Sequence, residues 1–443
     1  MRTFVRRALI AAGALFLIVV LAVAWLVLAP TRTRVITAAG QADSGLIERG
    51  RYLAAASDCT SCHTARNGPA FAGGRPIGSP IGAIFSSNIT PDRDTGIGAY
   101  SLDDFDRAVR HGLTRRNTTL DPAMPYPSYA HMTDADVVAL YAYFMHGVAP
   151  VRAKNRGNAI PWPLSIRWPL TIWRKTFAPN PDAVAFDPAR YPNPVIARGA
   201  YLVQGPGHCG SCHTPRALTL QETALDERGQ SYLGGGPVID GWLAVNLRGN
   251  RADGLGDWSI DQIITTLRSA RDPVHAVIGE PMNDVVAHST QSLNDADLLA
   301  IAAYLKTLPP DAHTASSFAD DPATARALAA GEEADRGAQL YDDNCAACHN
   351  TDGRGSTRAF PTIAGDSSVL AGDPTSVIHL ILKGSHLPPT ATAPSPLGMS
   401  GFGWRLSDQE VAEVGTFIRQ SWGNHAPAIT PEQVRRVRKT LAR

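Results

Sequence analysis

The chain contains six cysteines, and every one falls in a Cys-x-x-Cys-His pentapeptide: Cys59-Thr60-Ser61-Cys62-His63, Cys209-Gly210-Ser211-Cys212-His213 and Cys345-Ala346-Ala347-Cys348-His349. Two thiols one helical turn apart can add to the two vinyl groups of a haem, and the adjoining imidazole then faces the iron. Each pentapeptide therefore reads as a c-type haem attachment site, and three copies predict three covalently bound haem c groups. Cys59, Cys62, Cys209, Cys212, Cys345 and Cys348 would hold the porphyrins, with His63, His213 and His349 on the irons. A zinc site would need about four ligands close together, whereas these pairs begin 150 and then 136 residues apart. A thioredoxin-like redox pair has no need of a histidine after every second cysteine.

Only six methionines are present, so their positions carry information. Met282 is the only one between the second and third pentapeptides, and Met399 the only one after the third. Met124, Met132 and Met145 all follow the first. Met282 lies 13 residues before Asp295, Met399 lies 9 before Asp408, and Met124 lies 10 before Asp134. Met132 and Met145 do not share that placement. A lone methionine is usually core filler, but the same placement three times points to thioether ligation by Met124, Met282 and Met399. His/Met ligation raises the reduction potential and fills both axial sites. Such irons carry electrons and leave no open position for a substrate. The other histidines, including His111, His131, His208, His275, His288 and His379, show no repeated spacing and read as surface or loop residues.

The elements that position these residues also repeat. A short helix is expected before each pentapeptide, over Leu46–Leu53, Val195–Leu202 and Glu333–Tyr341, each with an Arg-Gly core. A second helix follows each long loop, opened by Thr133, Asn294 or Ser407 with carboxylates in its first turn, which complement the unpaired N–H groups and the helix dipole. A helix, a haem pentapeptide, a long loop and a closing helix resemble the class I cytochrome c domain. The expected fold is all-α: three tandem class I cytochrome c domains preceded by an N-terminal transmembrane or signal helix.

Ahead of the first unit, Arg2, Arg6 and Arg7 precede an unbroken apolar run from Ala8 to Ala29. At about 1.5 Å per residue it reaches roughly 33 Å, enough to span a bilayer core. The run is long for a cleavable leader, and the flanking arginines place the remainder on the exported side, the periplasmic face of a bacterial inner membrane. The other 443-residue features are ordinary: 44% hydrophobic, 18% charged and a net charge of +1. That balance argues against nucleic acid as a partner. The expected boundaries are 1–34 for the anchor or signal segment, 40–150, 188–309 and 332–424 for the three domains, 151–187 for a Pro/Trp-rich linker, 310–331 for a plain spacer, and 425–443 for a basic, solvated tail. Within the first linker, Trp162, Trp168 and Trp173 stand among prolines and basic residues, a pattern that suits a membrane interface, a partner protein or packing on the chain itself.

The loops carry a closer likeness. Ser86-Ser87-Asn88-Ile89-Thr90-Pro91-Asp92, Ala123-Met124-Pro125-Tyr126-Pro127-Ser128-Tyr129, Ile160-Pro161-Trp162-Pro163-Leu164, Glu280-Pro281-Met282 and Phe402-Gly403-Trp404-Arg405-Leu406 resemble the three-haem cytochrome c subunits of membrane-bound periplasmic dehydrogenases, including the alcohol, gluconate, fructose and aldehyde enzymes. The resemblance covers the chain beyond about Ile47. It implies the axial pairs His63/Met124, His213/Met282 and His349/Met399, and a separate catalytic subunit with a quinone (PQQ), flavin (FAD) or molybdenum cofactor. It further implies ubiquinone or a terminal oxidase as acceptor. Several relatives attach to the membrane through C-terminal segments, unlike this chain with its long N-terminal run and basic tail. The expected function is electron transfer without substrate catalysis; a haem enzyme such as a cytochrome c peroxidase, or a haem subunit of a terminal oxidase, are the alternatives. No Gly-rich dinucleotide fingerprint is found that follows a strand and opens a helix. Arg75, Trp258 and Trp404 are candidates for propionate contacts or for packing.

Overall fold

The computed structural model describes residues 2–31, 33–37, 42–79, 81–272, 278–311, 317–357 and 359–441. His275 and Arg32 lie outside them. The apolar N-terminal run forms one helix, Arg2–Leu28, whose side chains are almost all exposed. It is long and apolar enough to cross a membrane.

Beyond it, the three largest apolar clusters among the described residues each gather around one pentapeptide. Each is built on a pair of helices: Ser44–Ala56 with Asp134–Ala142, Pro194–Gln204 with Asp295–Leu305, and Arg336–Asn344 with Asp408–Gln420. The first helix of each pair is capped by Asp43, Asn193 or Asp335, whose side chain accepts from the backbone N–H three residues on. Thr133, Asn294 and Ser407 cap the second helices in the same way, Ser407 with Glu410 in a reciprocal capping box.

The repeated Arg-Gly finds its reason where the helices cross. A Cβ on Gly50 would stand 1.9 Å from the Ala139 carbonyl oxygen, one on Gly199 1.9 Å from that of Ala300, and one on Gly337 2.8 Å from that of Glu413. Only glycine allows so close an approach. The preceding arginine meets the carboxylate three residues past the opposite cap: Arg49 to Asp136 at 2.6 Å, Arg198 to Asp297 at 2.7 Å and Arg336 to Glu410 at 3.1 Å. Crossing and ion pair recur together in all three units.

The all-α expectation is corrected here. Helix makes up only 44% of the chain, and four two-stranded antiparallel sheets are present among the described residues. Pro76–Ser79 pairs with Gly82–Phe85, Val238–Ile239 with Trp242–Leu243, and Gly384–Leu387 with Leu397–Ser400. Strands of two to four residues are too short to show an alternating pattern in sequence. They arise because the long loops between helices must satisfy their backbone groups while turning back over the core.

Two further segments depart from expectation. The spacer joins the third unit: Ser317–Phe318 pairs with Asn424–His425, and Leu328 of helix Ala323–Ala329 is buried in the third core. The tail is a docked helix, Pro431–Leu441, with Val434 and Val437 buried in that same core. Its Arg438 donates to Asp408 and to the Leu406 carbonyl, each at 2.8 Å. An amphipathic helix with few apolar residues is easily read as solvated when its docking face is only one valine wide per turn.

Candidate functional site

A connected cavity of about 1570 Å³ runs through all three units. Each of the twelve residues expected from sequence lines it: Cys59, Cys62, His63 and Met124; Cys209, Cys212, His213 and Met282; Cys345, Cys348, His349 and Met399. They come from positions far apart in sequence and from all three units.

The pentapeptides form short helical turns, Cys59–His63, Gly210–His213 and Ala346–His349, so the two thiols of each face the same side. In each unit the histidine Nδ1 meets a backbone carbonyl: Ser87 at 2.7 Å, Val245 at 2.7 Å and Pro361 at 3.0 Å. With Nδ1 donating there, Nε2 is left deprotonated and free to serve as a metal ligand, and the ring plane is fixed. Burial lowers the pKa of all three imidazoles, only partly offset by these carbonyls, which keeps them neutral. Burial pushes the thiols of Cys59, Cys209 and Cys345 up to about 12 and those of Cys62 and Cys212 up to about 11.

On the wall of the same cavity, the methionines sit on three different supports. Met124 lies in the loop before Tyr126–Tyr129, Met282 opens helix Met282–His288, and Met399 stands on strand Leu397–Ser400 across from Ser385. The short hairpins thus have a role: one carries Met399, and the others supply Ile77, Ile84, Val238 and Trp242 to the cavity wall. Met132 also reaches the wall but is buried in the first core, and Met145 packs on that core without reaching the cavity. An apolar chamber with paired thiols, a tautomer-fixed imidazole and a thioether in each unit fits a covalently held porphyrin.

Residues 334–422 match the cytochrome c family. The chain is 53% identical to the gluconate 2-dehydrogenase cytochrome c subunit of Pantoea cypripedii, covering 90% of this chain and 91% of that one. It is 51% identical to the cytochrome c subunit of the quinone alcohol dehydrogenase of Gluconacetobacter polyoxogenes, over 90% and 86%. The chain belongs to the family of dehydrogenase cytochrome c subunits. A more distant member, the fructose dehydrogenase cytochrome subunit of Gluconobacter japonicus, is 35% identical over 88% of this chain and 82% of its own. Membership of this cytochrome c family implies covalently bound haem c and a role in electron transfer.

Other residues of this cytochrome c subunit fall differently from expectation. His111 and His379 are buried rather than at the surface, His111 3.7 Å from Asp106 and His379 packed at a tilt against Trp242 with ring centroids 4.7 Å apart. His208 lines the cavity and packs edge-on against Tyr129. Arg75 and Trp258 line the cavity, Arg75 in an ion pair with Asp284 at 2.6 Å, whereas Trp404 is 86% exposed and does not reach the wall. Sequence reasoning missed the carbonyls of Ser87, Val245 and Pro361, which no residue type announces. It also missed two buried carboxyls behind the pentapeptides. Asp58 accepts from Ser61 Oγ at 2.5 Å, and Glu222 accepts from Ser211 Oγ at 3.4 Å. Burial pushes both up to about 7. The serine shared by the first two pentapeptides, replaced by Ala347 in the third, was the available signal.

Proposed function

We propose that this chain is the three-haem electron-transfer subunit of a membrane-bound periplasmic dehydrogenase. It takes electrons from a catalytic subunit that oxidises an alcohol, an aldehyde or a sugar or sugar acid, and delivers them to ubiquinone or a terminal oxidase. The observation that carries this reading is the single cavity joining three equivalent sets of two cysteines, a histidine and a methionine. In each set the cysteines would hold the porphyrin as thioethers, the carbonyl-anchored histidine would ligate one face and the methionine the other. Bound there, haem c supplies a one-electron Fe(III)/Fe(II) couple.

The chain's own residues do the rest. The apolar walls exclude water, which limits reorganisation around a changing charge, and the carbonyl-fixed imidazoles would hold the iron with little room to move. With a histidine and a methionine to hold each iron, no site for substrate would remain there, and chemistry on substrate would belong to the partner subunit. The relatives named for gluconate and for alcohol stand at 53% and 51% identity, so substrate choice rests on that partner. The N-terminal helix supports attachment to the inner membrane with the haem units on the periplasmic side.

The test is the mass of the mature chain isolated from cells that mature c-type cytochromes. Three covalent haems are expected. Fewer than three would overturn the proposal, as would co-purification with a copper-haem oxidase in place of a dehydrogenase.

A further inference from the structure

Between the first and second units, every residue from 161 to 169 is exposed, and the stretch includes Trp162 at 82%, Leu164 at 54%, Ile166 at 40% and Trp168 at 49%. Isolated apolar residues on a surface are ordinary, but a contiguous run holding two tryptophans marks a contact surface. Helix Trp168–Phe177 continues directly from this run and packs against the N-terminal helix. Lys175 Nζ donates to the carbonyls of Leu26 and Ala29, each at 2.6 Å, and so caps that helix where it ends. Arg174 donates to Thr31 Oγ1 at 2.6 Å, and the Arg34 backbone N–H donates to Asp182 at 3.0 Å. The linker is thus fastened to the point where the apolar helix gives way to polar sequence. Trp168 is seven residues from Lys175 along one helix, about 10 Å. Charge points the same way: residues 151–181 contain Arg152, Lys154, Arg156, Arg167, Arg174 and Lys175 and no Asp or Glu, in a chain of net charge +1.

We propose that residues 161–169 lie in the headgroup region of the bilayer beside the exit of the N-terminal helix, with the tryptophans at the apolar boundary and the exposed Lys154, Arg156 and Arg167 on anionic lipid. This rests on the membrane attachment proposed above. Tryptophan favours that depth because its ring is apolar while its N–H is polar, and basic residues next to a membrane helix are drawn to anionic headgroups. A protein partner of matching chemistry would have to reach the same narrow zone at the membrane surface. The N-terminal helix already sets where that surface lies. One consequence is that the first and second units, on which this linker packs through Thr119, Tyr126 and Thr219, stand nearer the membrane than the exposed Trp404 of the third.

The full-length haem-loaded chain is placed in vesicles of phosphatidylethanolamine and phosphatidylglycerol containing a phospholipid with a photoactivated carbene source near its glycerol backbone. Adducts are mapped by peptide mass spectrometry. Adducts on 161–169, with none on Trp404, are expected. Their absence from 161–169 overturns the proposal whether or not residues 2–28 are labelled. Adducts on 161–169 without any on 2–28 uphold the surface and reject retention of the helix, so the two readings fail separately. In the double variant Leu164→Glu/Ile166→Glu, whose side chains are exposed and leave the cores intact, labelling of 161–169 falls to the level of Trp404; unchanged labelling overturns the proposal.

Discussion

The Tyr52 hydroxyl donates to Asp297 at 2.6 Å, across 245 residues of sequence and the boundary between the first and second units. Its counterpart is the Tyr201 hydroxyl, which donates to Asp136. Each tyrosine stands three residues after the arginine of its own Arg-Gly, and each aspartate already pairs with the arginine of its own unit, Asp297 with Arg198 and Asp136 with Arg49. Tyr52 also lies 3.4 Å from the Asn294 N–H and Tyr201 3.2 Å from that of Thr133. The exchange is reciprocal, so the first two units face each other about a local two-fold, as in an isologous dimer. Gln339 occupies the equivalent place in the third unit, which joins differently, through Trp242 on His379 and Leu243 N–H on Ser376 Oγ at 2.8 Å.

Removing one of these hydroxyls leaves a buried carboxylate short of a donor. Tyr52→Phe and Tyr201→Phe are each expected to lower stability by about 1.5–3 kcal/mol, the range for a hydrogen bond to a charged group. The double variant should depart from additivity because both bonds close one interface. Urea unfolding of the four proteins measures this, and strictly additive small effects would show that the two bonds are not coupled.

Gly199→Ala places a methyl 1.9 Å from the Ala300 carbonyl oxygen, so the second pair of helices cannot close. The expected result is a chain recovered with one haem fewer, scored by haem stain and mass. Gly372→Ala, with no atom within 4 Å of the new Cβ, serves as the control and should keep wild-type haem content.

Met124→Ala, Met282→Ala and Met399→Ala should each remove one of three low-spin His/Met signatures and lower that potential. Met132→Ala should keep all three signatures yet cost about 2–5 kcal/mol, because its side chain fills the first core. Loss of a signature in the Met132 variant, with Met124→Ala silent, would exchange their roles.

Burial raises the Glu222 pKa from 4.5 to about 7 despite Arg216 and Ser211. The folded state therefore binds this proton more tightly than the unfolded chain. The associated stability is complete below pH 4.5 and is lost as pH rises through 7, a change of about 3 kcal/mol. Relative to Glu222→Gln, which has no such titration, the wild type should lose that much between pH 4.5 and 8 in urea midpoints. A constant difference between the two proteins would refute the assignment.

What the sequence determined by itself was everything that depends on covalent spacing. Two thiols and an imidazole within five residues, a cap followed by carboxylates, and 22 apolar residues in a row behave alike in almost any fold, so the helical pentapeptides, the paired helices and the N-terminal helix were legible. The repeated methionine placement put Met124, Met282 and Met399 on the wall of the same cavity. Tertiary structure alone decided which groups meet from afar. The carbonyls of Ser87, Val245 and Pro361 hold the histidines by backbone geometry, which side-chain identity does not encode. Strand Leu397–Ser400 exists only because Gly384–Leu387 lies beside it. The Tyr52–Asp297 and Tyr201–Asp136 exchange and the joining of three crevices into one cavity depend on how whole units dock, where hydrogen bonds and apolar burial act over hundreds of residues and leave no local pattern.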